Sequence, residues 1–214
     1  MTPNQIIGQA ETDKLEHGFT ALHVAARDGD LHALKSLSEE LDDKNPTSDN
    51  GTTPLHLAVE TNNLKIVKYL SKYALNKSPA NCKGQTPLHL AALKKNTDIF
   101  KILVSEISDP SDSNPADLKG ETPLHIAVST NNLELVNFLA KKVLDRNPAD
   151  QNGITPLHLV AQSGNIEIYK SIVFDNCFID MNTKDSSGST PVMIANQFGH
   201  TEIVASLLQC LNSN

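Results

Sequence analysis

Five histidines each follow a threonine by three positions: Thr20 and His23, Thr53 and His56, Thr86 and His89, Thr122 and His125, Thr155 and His158. Imidazole titrates near neutral pH, so a histidine beside a hydroxyl could serve as a general base, and several imidazoles together could ligate zinc. Either chemistry has requirements that the surrounding residues do not meet. A catalytic site is asymmetric, with nucleophile, base and orienter all different, whereas five equivalent histidines have five equivalent surroundings. No cysteine, aspartate or glutamate recurs beside them at a fixed spacing to complete a zinc set. The sequence therefore predicts no catalytic residue, no metal and no cofactor. It predicts a structural role for the column His23, His56, His89, His125 and His158, each histidine bonding its own threonine and the backbone of a neighbouring segment.

The phrases that carry these residues are TALHVA, TPLHLA, TPLHLA, TPLHIA and TPLHLV, followed by a sixth, TPVMIA, from Thr190. Their threonines are 33, 33, 36, 33 and 35 residues apart. A period of this size marks a stacked repeat array, in which no unit buries its apolar face alone. We divide the chain into a lead-in, 1–17, and a repeat domain, 18–214, of six units: 18–50, 51–83, 84–119, 120–152, 153–187 and 188–214.

One unit can be read from Gly51 onward. Asn50-Gly51 is a turn dipeptide, because glycine takes positive φ at little cost. Thr53 suits an N-cap, and Pro54 suits the first helical position, where a missing N–H is harmless. Leu55, Leu57 and Ala58 make one side of a first helix apolar. Asn62-Asn63 stops it, with Gly29, Gly164 and Gly199 at the Asn62 position in other units. A second helix follows, with Leu64, Ile66, Val67 and Leu70 expected on its inner side. Leu133, Leu135, Val136 and Leu139 repeat that pattern, as do Ile166, Ile168, Tyr169 and Ile172. Pro46, Pro79, Pro115 and Pro148 bar helix from four of the links. In the sixth unit Met193 replaces the histidine and Asn196 replaces a small apolar residue, as in a polar cap. Ile203, Val204, Leu207, Leu208 and Leu211 nevertheless ask for a further neighbour, which keeps open a piece cut from a longer protein.

These residues together, G-x-TPLH-x-A, an Asn or Gly stop, L-x-I-V-x-x-L and a turn before the next glycine, resemble ankyrin repeats over about residues 18–211. The resemblance implies an all-α solenoid of helix-turn-helix units joined by β-hairpin-like loops. It also implies a non-catalytic module that holds another protein on its concave loop and first-helix surface. Two further settings stay open: a regulatory array belonging to a larger enzyme or channel, and an ankyrin-type effector of an intracellular bacterium. Ankyrin hairpin asparagines also resemble substrates of an asparaginyl hydroxylase. Asn182 is the closest match, because Asn45, Asn114 and Asn147 are followed by proline. The plainer reading of each is a turn-stabilising asparagine.

Within the array the link tips and helix ends are free to vary, and three such positions carry an apolar residue: Leu93, Leu118 and Ile154. Lys83, Lys94 and Lys119 surround the first two, and Glu121 lies beside them. Apolar residues rimmed by charge characterise interfaces. The expected ligand is a protein or peptide, acidic or amphipathic. A net charge of −7 and a pI of about 5.6 argue against nucleic acid. No run of 18 apolar residues suggests a membrane span. Cys82, Cys177 and Cys210 are odd in number and form no CxxC pair, so we read them as buried or half-buried thiols in a reducing compartment. The N-terminal residues do not read as a signal peptide. A monomer in the cytoplasm is expected, with the nucleus and a host cytosol as alternatives.

Overall fold

The computed structural model describes residues 16–73, 78–107, 109–173 and 179–213. Two compact units divide it, Met1–Ser108 and Asp109–Asn214. Among the described residues there are twelve α-helices and no extended strand. Unit one holds α1 (Ala21–Asp28), α2 (Leu31–Glu39), α3 (Pro54–Glu60), α4 (Leu64–Tyr73), α5 (Pro87–Leu93) and α6 (Thr97–Ser105). Unit two holds α7 (Pro123–Ser129), α8 (Leu133–Ala140), α9 (Pro156–Ser163), α10 (Ile166–Val173), α11 (Pro191–Gln197) and α12 (Thr201–Ser213). No helix described is long and apolar enough to cross a membrane.

Each unit is a two-layer stack. First helices pack on first helices, α1 on α3 on α5 and α7 on α9 on α11. Second helices form the other layer, α4 on α6 and α8 on α10 on α12. The core lies between the layers. In unit one Leu22, Leu34, Leu55, Ile66, Leu70, Leu88, Ile99 and Phe100 are fully buried, and in unit two Leu124, Leu135, Leu139 and Leu157. Two expected inner residues are not inner. Leu64 is 40% exposed and Leu133 is 36% exposed. Each lies two residues before the buried stripe begins at Ile66 or Leu135, a rotation of roughly 200° around the helix.

The first helices start with proline at the first turn, except α1, which starts at Ala21. All end in a left-handed residue: Gly29, Asn62, Lys95, Asn131, Gly164 and Gly199. The stop is closed by paired main-chain bonds. Asn62 N–H donates to Val59 C=O at 3.1 Å and Asn63 N–H to Ala58 C=O at 2.8 Å. This satisfies carbonyls that would otherwise be orphaned at the helix end.

The links are hairpin-like turns closed by a single rung. Asn81 N–H donates to Gln85 C=O, Asp117 N–H to Glu121 C=O, Asp150 N–H to Ile154 C=O and Asp185 N–H to Ser189 C=O. Neighbouring tips are tied in turn, Cys82 N–H to Asn50 C=O at 2.7 Å, Gln151 N–H to Lys119 C=O at 2.9 Å and Ser186 N–H to Asn152 C=O at 2.7 Å. This close approach bars a side chain at Gly51, Gly120 and Gly153: a Cβ on Gly120 would stand 2.9 Å from Asp150 Cα, whereas Gly188, with nothing within 4 Å, is required by its φ of 81° alone.

Candidate interaction surface and the histidine column

The five histidines are buried, each Nδ1 is in use, and so is Nε2 in His23, His56, His125 and His158. In α3 the Thr53 N–H donates to His56 Nδ1 at 3.2 Å, and the Thr53 hydroxyl is 2.9 Å from the same nitrogen. The equivalent main-chain bonds run from Thr20, Thr86, Thr122 and Thr155 to His23, His89, His125 and His158, at 3.0 to 3.2 Å. A main-chain N–H can only donate, so each Nδ1 is the bare, accepting nitrogen and each Nε2 carries the proton. That proton is directed at the next repeat. His23 Nε2 donates to Thr52 C=O at 2.9 Å and His56 Nε2 to Gln85 C=O at 3.0 Å. In unit two His125 Nε2 donates to Ile154 C=O and His158 Nε2 to Ser189 C=O, both at 3.1 Å. Threonine and histidine thus cap the helix reciprocally: in α3 and α7 the threonine hydroxyl accepts the histidine main-chain N–H at 3.4 to 3.5 Å, while the imidazole accepts the main-chain N–H of the threonine itself.

Burial opposes protonation of His23, His56 and His125. It pulls His56 down to about 4 against the donated bond to Gln85, with repulsion from His23 and His89 adding to the shift. It also lowers His23, against the bond to Thr52. His125 is lowered by burial against Ile154, Asp150 and Glu121, which favour the cation. Rings held neutral, with one nitrogen donating and the other accepting, have no lone pair left for a metal or a substrate proton. Among the described residues no group of three or more His, Cys, Asp or Glu is arranged to hold a metal ion.

The link tips contain an acceptor that sequence reasoning missed. Asn81 Oδ1 takes the N–H groups of Lys83 and Gln85. Asp117, Asp150 and Asp185 do the same for residues two and four positions on. The signal was available, since each stands three residues before a repeat glycine. Asp185 is held below the usual carboxylate range by the Ser187 hydroxyl and then the Ser189 N–H. Below the tips, Asn45, Asn114 and Asn147 each accept a main-chain N–H ten residues on, from Leu55, Leu124 and Leu157. Asn182, at the same place in its link, is exposed.

The expected contact residues fall as follows. In unit one Leu93, the last residue of α5, is 54% exposed. Lys94 follows it at the helix cap, and Lys83 stands on the tip of that repeat's link, both exposed. In unit two Leu118 is 64% exposed on a tip beside exposed Lys119. Their main chains are pinned: Lys119 N–H donates to Asp117 Oδ1, and Gln151 Nε2 donates to Leu118 C=O at 2.7 Å. Glu121 is half-buried, and so is Ile154, which was expected to be exposed. Ile154 lies at the base of its hairpin, where its carbonyl receives both Asp150 N–H and His125 Nε2. Of the two described thiols, Cys82 differs from the expected burial and Cys210 agrees with it. Cys82 is exposed, because at the tip its main chain alone is engaged, while Cys210 is half-buried beside the Tyr169 hydroxyl at 3.4 Å. Cys177 lies outside the described residues.

A family model described as ankyrin repeats (3 copies) matches the chain in overlapping spans: residues 4–78, 22–113, 72–148, 108–185 and 141–214. No curated protein matches the sequence. Among solved structures, the crystal structure of the ankyrin repeat domain of Bcl-3, described as a unique member of the IkappaB protein family, is similar at 25% identity. The alignment covers 91% of this chain and 87% of that one, with a TM-score of 0.75.

Proposed function

The chain belongs to the ankyrin repeat family, and from that premise we propose that it is a non-catalytic module binding a protein or peptide on its loop and first-helix side. The proposed contact residues are Leu93, Lys83 and Lys94 in unit one, and Leu118, Lys119, Glu121 and Ile154 in unit two. The observation that carries this reading is the exposure of two leucines, Leu93 and Leu118, each next to a lysine. Apolar area left in water contributes nothing to the free protein and is buried when a ligand covers it. The ammonium groups of Lys83, Lys94 and Lys119 make no hydrogen bond or ion pair among the described residues, so they favour an acidic or amphipathic ligand. The engagement of both nitrogens in His23, His56, His125 and His158 supports a structural column in place of a catalytic one.

The same reading takes residues 18–214 as six repeats and places the protein in the cytoplasm as a monomer. Asn182, exposed in its link, is the proposed site if the protein is hydroxylated. The test is comparative capture. Wild type and a Leu93→Asp, Leu118→Asp double variant are immobilised, exposed to native lysate and read by mass spectrometry. A protein retained by wild type and lost from the double variant supports the surface; an unchanged set of captured proteins removes it.

A further inference from the structure

The left-handed residue that ends each first helix is glycine or asparagine in five repeats: Gly29, Asn62, Asn131, Gly164 and Gly199, with φ of 79, 61, 56, 72 and 74°. In the third repeat it is Lys95, at φ 55°. Glycine lacks the Cβ that makes this conformation costly, and asparagine offsets part of the cost through its short polar side chain. Lysine has neither advantage. The turn itself does not require it. Lys95 N–H donates to Ala92 C=O at 3.0 Å and Asn96 N–H to Ala91 C=O at 2.9 Å, the same pair of bonds that Asn62 and Asn63 make one repeat earlier. Nor does the fold use the side chain. Lys95 is exposed, and its ammonium has no hydrogen bond or ion pair among the described residues.

Its surroundings give the lysine a use. Lys95 follows Lys94, and both follow Leu93 at the exposed end of α5. The acids nearest in register are Glu60, at the Leu93 position one repeat earlier, and Asp98 in the first turn of α6; neither is paired with Lys95. Strain kept in a turn that a neighbouring repeat builds without it points to a role outside the turn. We propose that Lys95 is held in this strained position to present a second ammonium, beside Lys94, to a carboxylate of an acidic peptide segment whose apolar side chain covers Leu93. This rests on the Leu93 surface described above and adds to it a residue that the repeat pattern alone would discard.

The test uses a fluorescein-labelled peptide of repeating Leu-Glu-Glu, with binding read by anisotropy at low salt and melting read in parallel. Lys95→Gly should raise Tm by about 2–4 °C by relieving the strain, and weaken peptide binding by about fivefold by removing the charge. Lys95→Ala should weaken binding equally without the gain in Tm, and Lys95→Arg should bind as wild type does. If Lys95→Gly fails to raise Tm, or binds the peptide as well as wild type while Leu93→Asp does not, the inference about Lys95 fails and the Leu93 surface stands. If wild type does not bind the peptide, or Leu93→Asp binds it undiminished, the surface falls and the inference with it.

Discussion

His56 Nε2 donates to the Gln85 carbonyl, 29 residues on, at 3.0 Å, while its Nδ1 accepts from Thr53. One ring thus closes the start of its own helix and pins the start of the next repeat. It can do so only in the neutral, Nε2-protonated form, since an imidazolium would set a donor against the Thr53 N–H.

Acid should therefore weaken the array before its carboxylates titrate. The free imidazole titrates near 6.5, and folded His56 is pulled down to about 4. Between these values the unfolded chain binds the proton and the folded chain does not, so stability rises with pH across the window. The contribution is fully present above 6.5 and is lost as pH falls to about 4, amounting for His56 to about 3 kcal/mol. His23 and His125 act in the same direction. Urea midpoints should fall from pH about 7 to about 5; a midpoint unchanged across that range would contradict the neutral column.

His56→Ala and His125→Ala should each destabilise by about 1–3 kcal/mol, because each leaves a half-buried carbonyl and a buried N–H without their partner. The two should cost similar amounts, since the bonds are the same in α3 and α7. Denaturant titration measures this. A variant that lost partner binding at unchanged stability would give that histidine a functional role.

Zinc measured in protein purified without a histidine tag should be far below one ion per chain. Metal would have to displace the bonds that His23, His56, His125 and His158 already make. Stoichiometric zinc would overturn the structural account of the column.

The repeating frame was legible because each step is local backbone chemistry: proline at the first turn, a left-handed stop, and an imidazole three residues after the threonine. Which side chains face water was less legible. Leu64 and Leu133 fit the apolar pattern, yet lie on the far side of the helix from the stripe that Ile66 or Leu135 begins. Ile154 and Leu118 both looked like exposed apolar residues near a link. One is half-buried at a hairpin base and the other exposed on a tip. That difference depends on how adjacent links are tied together, which periodicity does not encode.

Cys82 and Cys210 provide a check on these placements. Cys82 is exposed at a tip and should react rapidly with a thiol reagent, whereas Cys210, half-buried beside Tyr169, should react slowly until the protein unfolds. Peptide mapping after brief labelling distinguishes them. Equal labelling of both in the folded protein would refute the packing of α12 on α10.

Leu118→Asp should weaken partner binding strongly while leaving thermal stability nearly unchanged. Leu118 is 64% exposed, so an aspartate there breaks no core packing and buries no charge in the free protein. Covered by a ligand, the same aspartate would be desolvated without a partner, and an apolar anchor would be gone; the expected loss is about 2 kcal/mol or more, roughly thirtyfold in Kd. Lys94→Glu acts differently. Its charge is exposed at the end of α5, where it sets the long-range field more than the packed contact. It should slow association with an acidic partner, and the slowing should shrink as salt shortens the screening length. Association and dissociation rates at low and high salt separate the two effects. If neither substitution alters the rates for the captured partner, these residues lie outside the interface, and the contact surface must be sought elsewhere on the repeats.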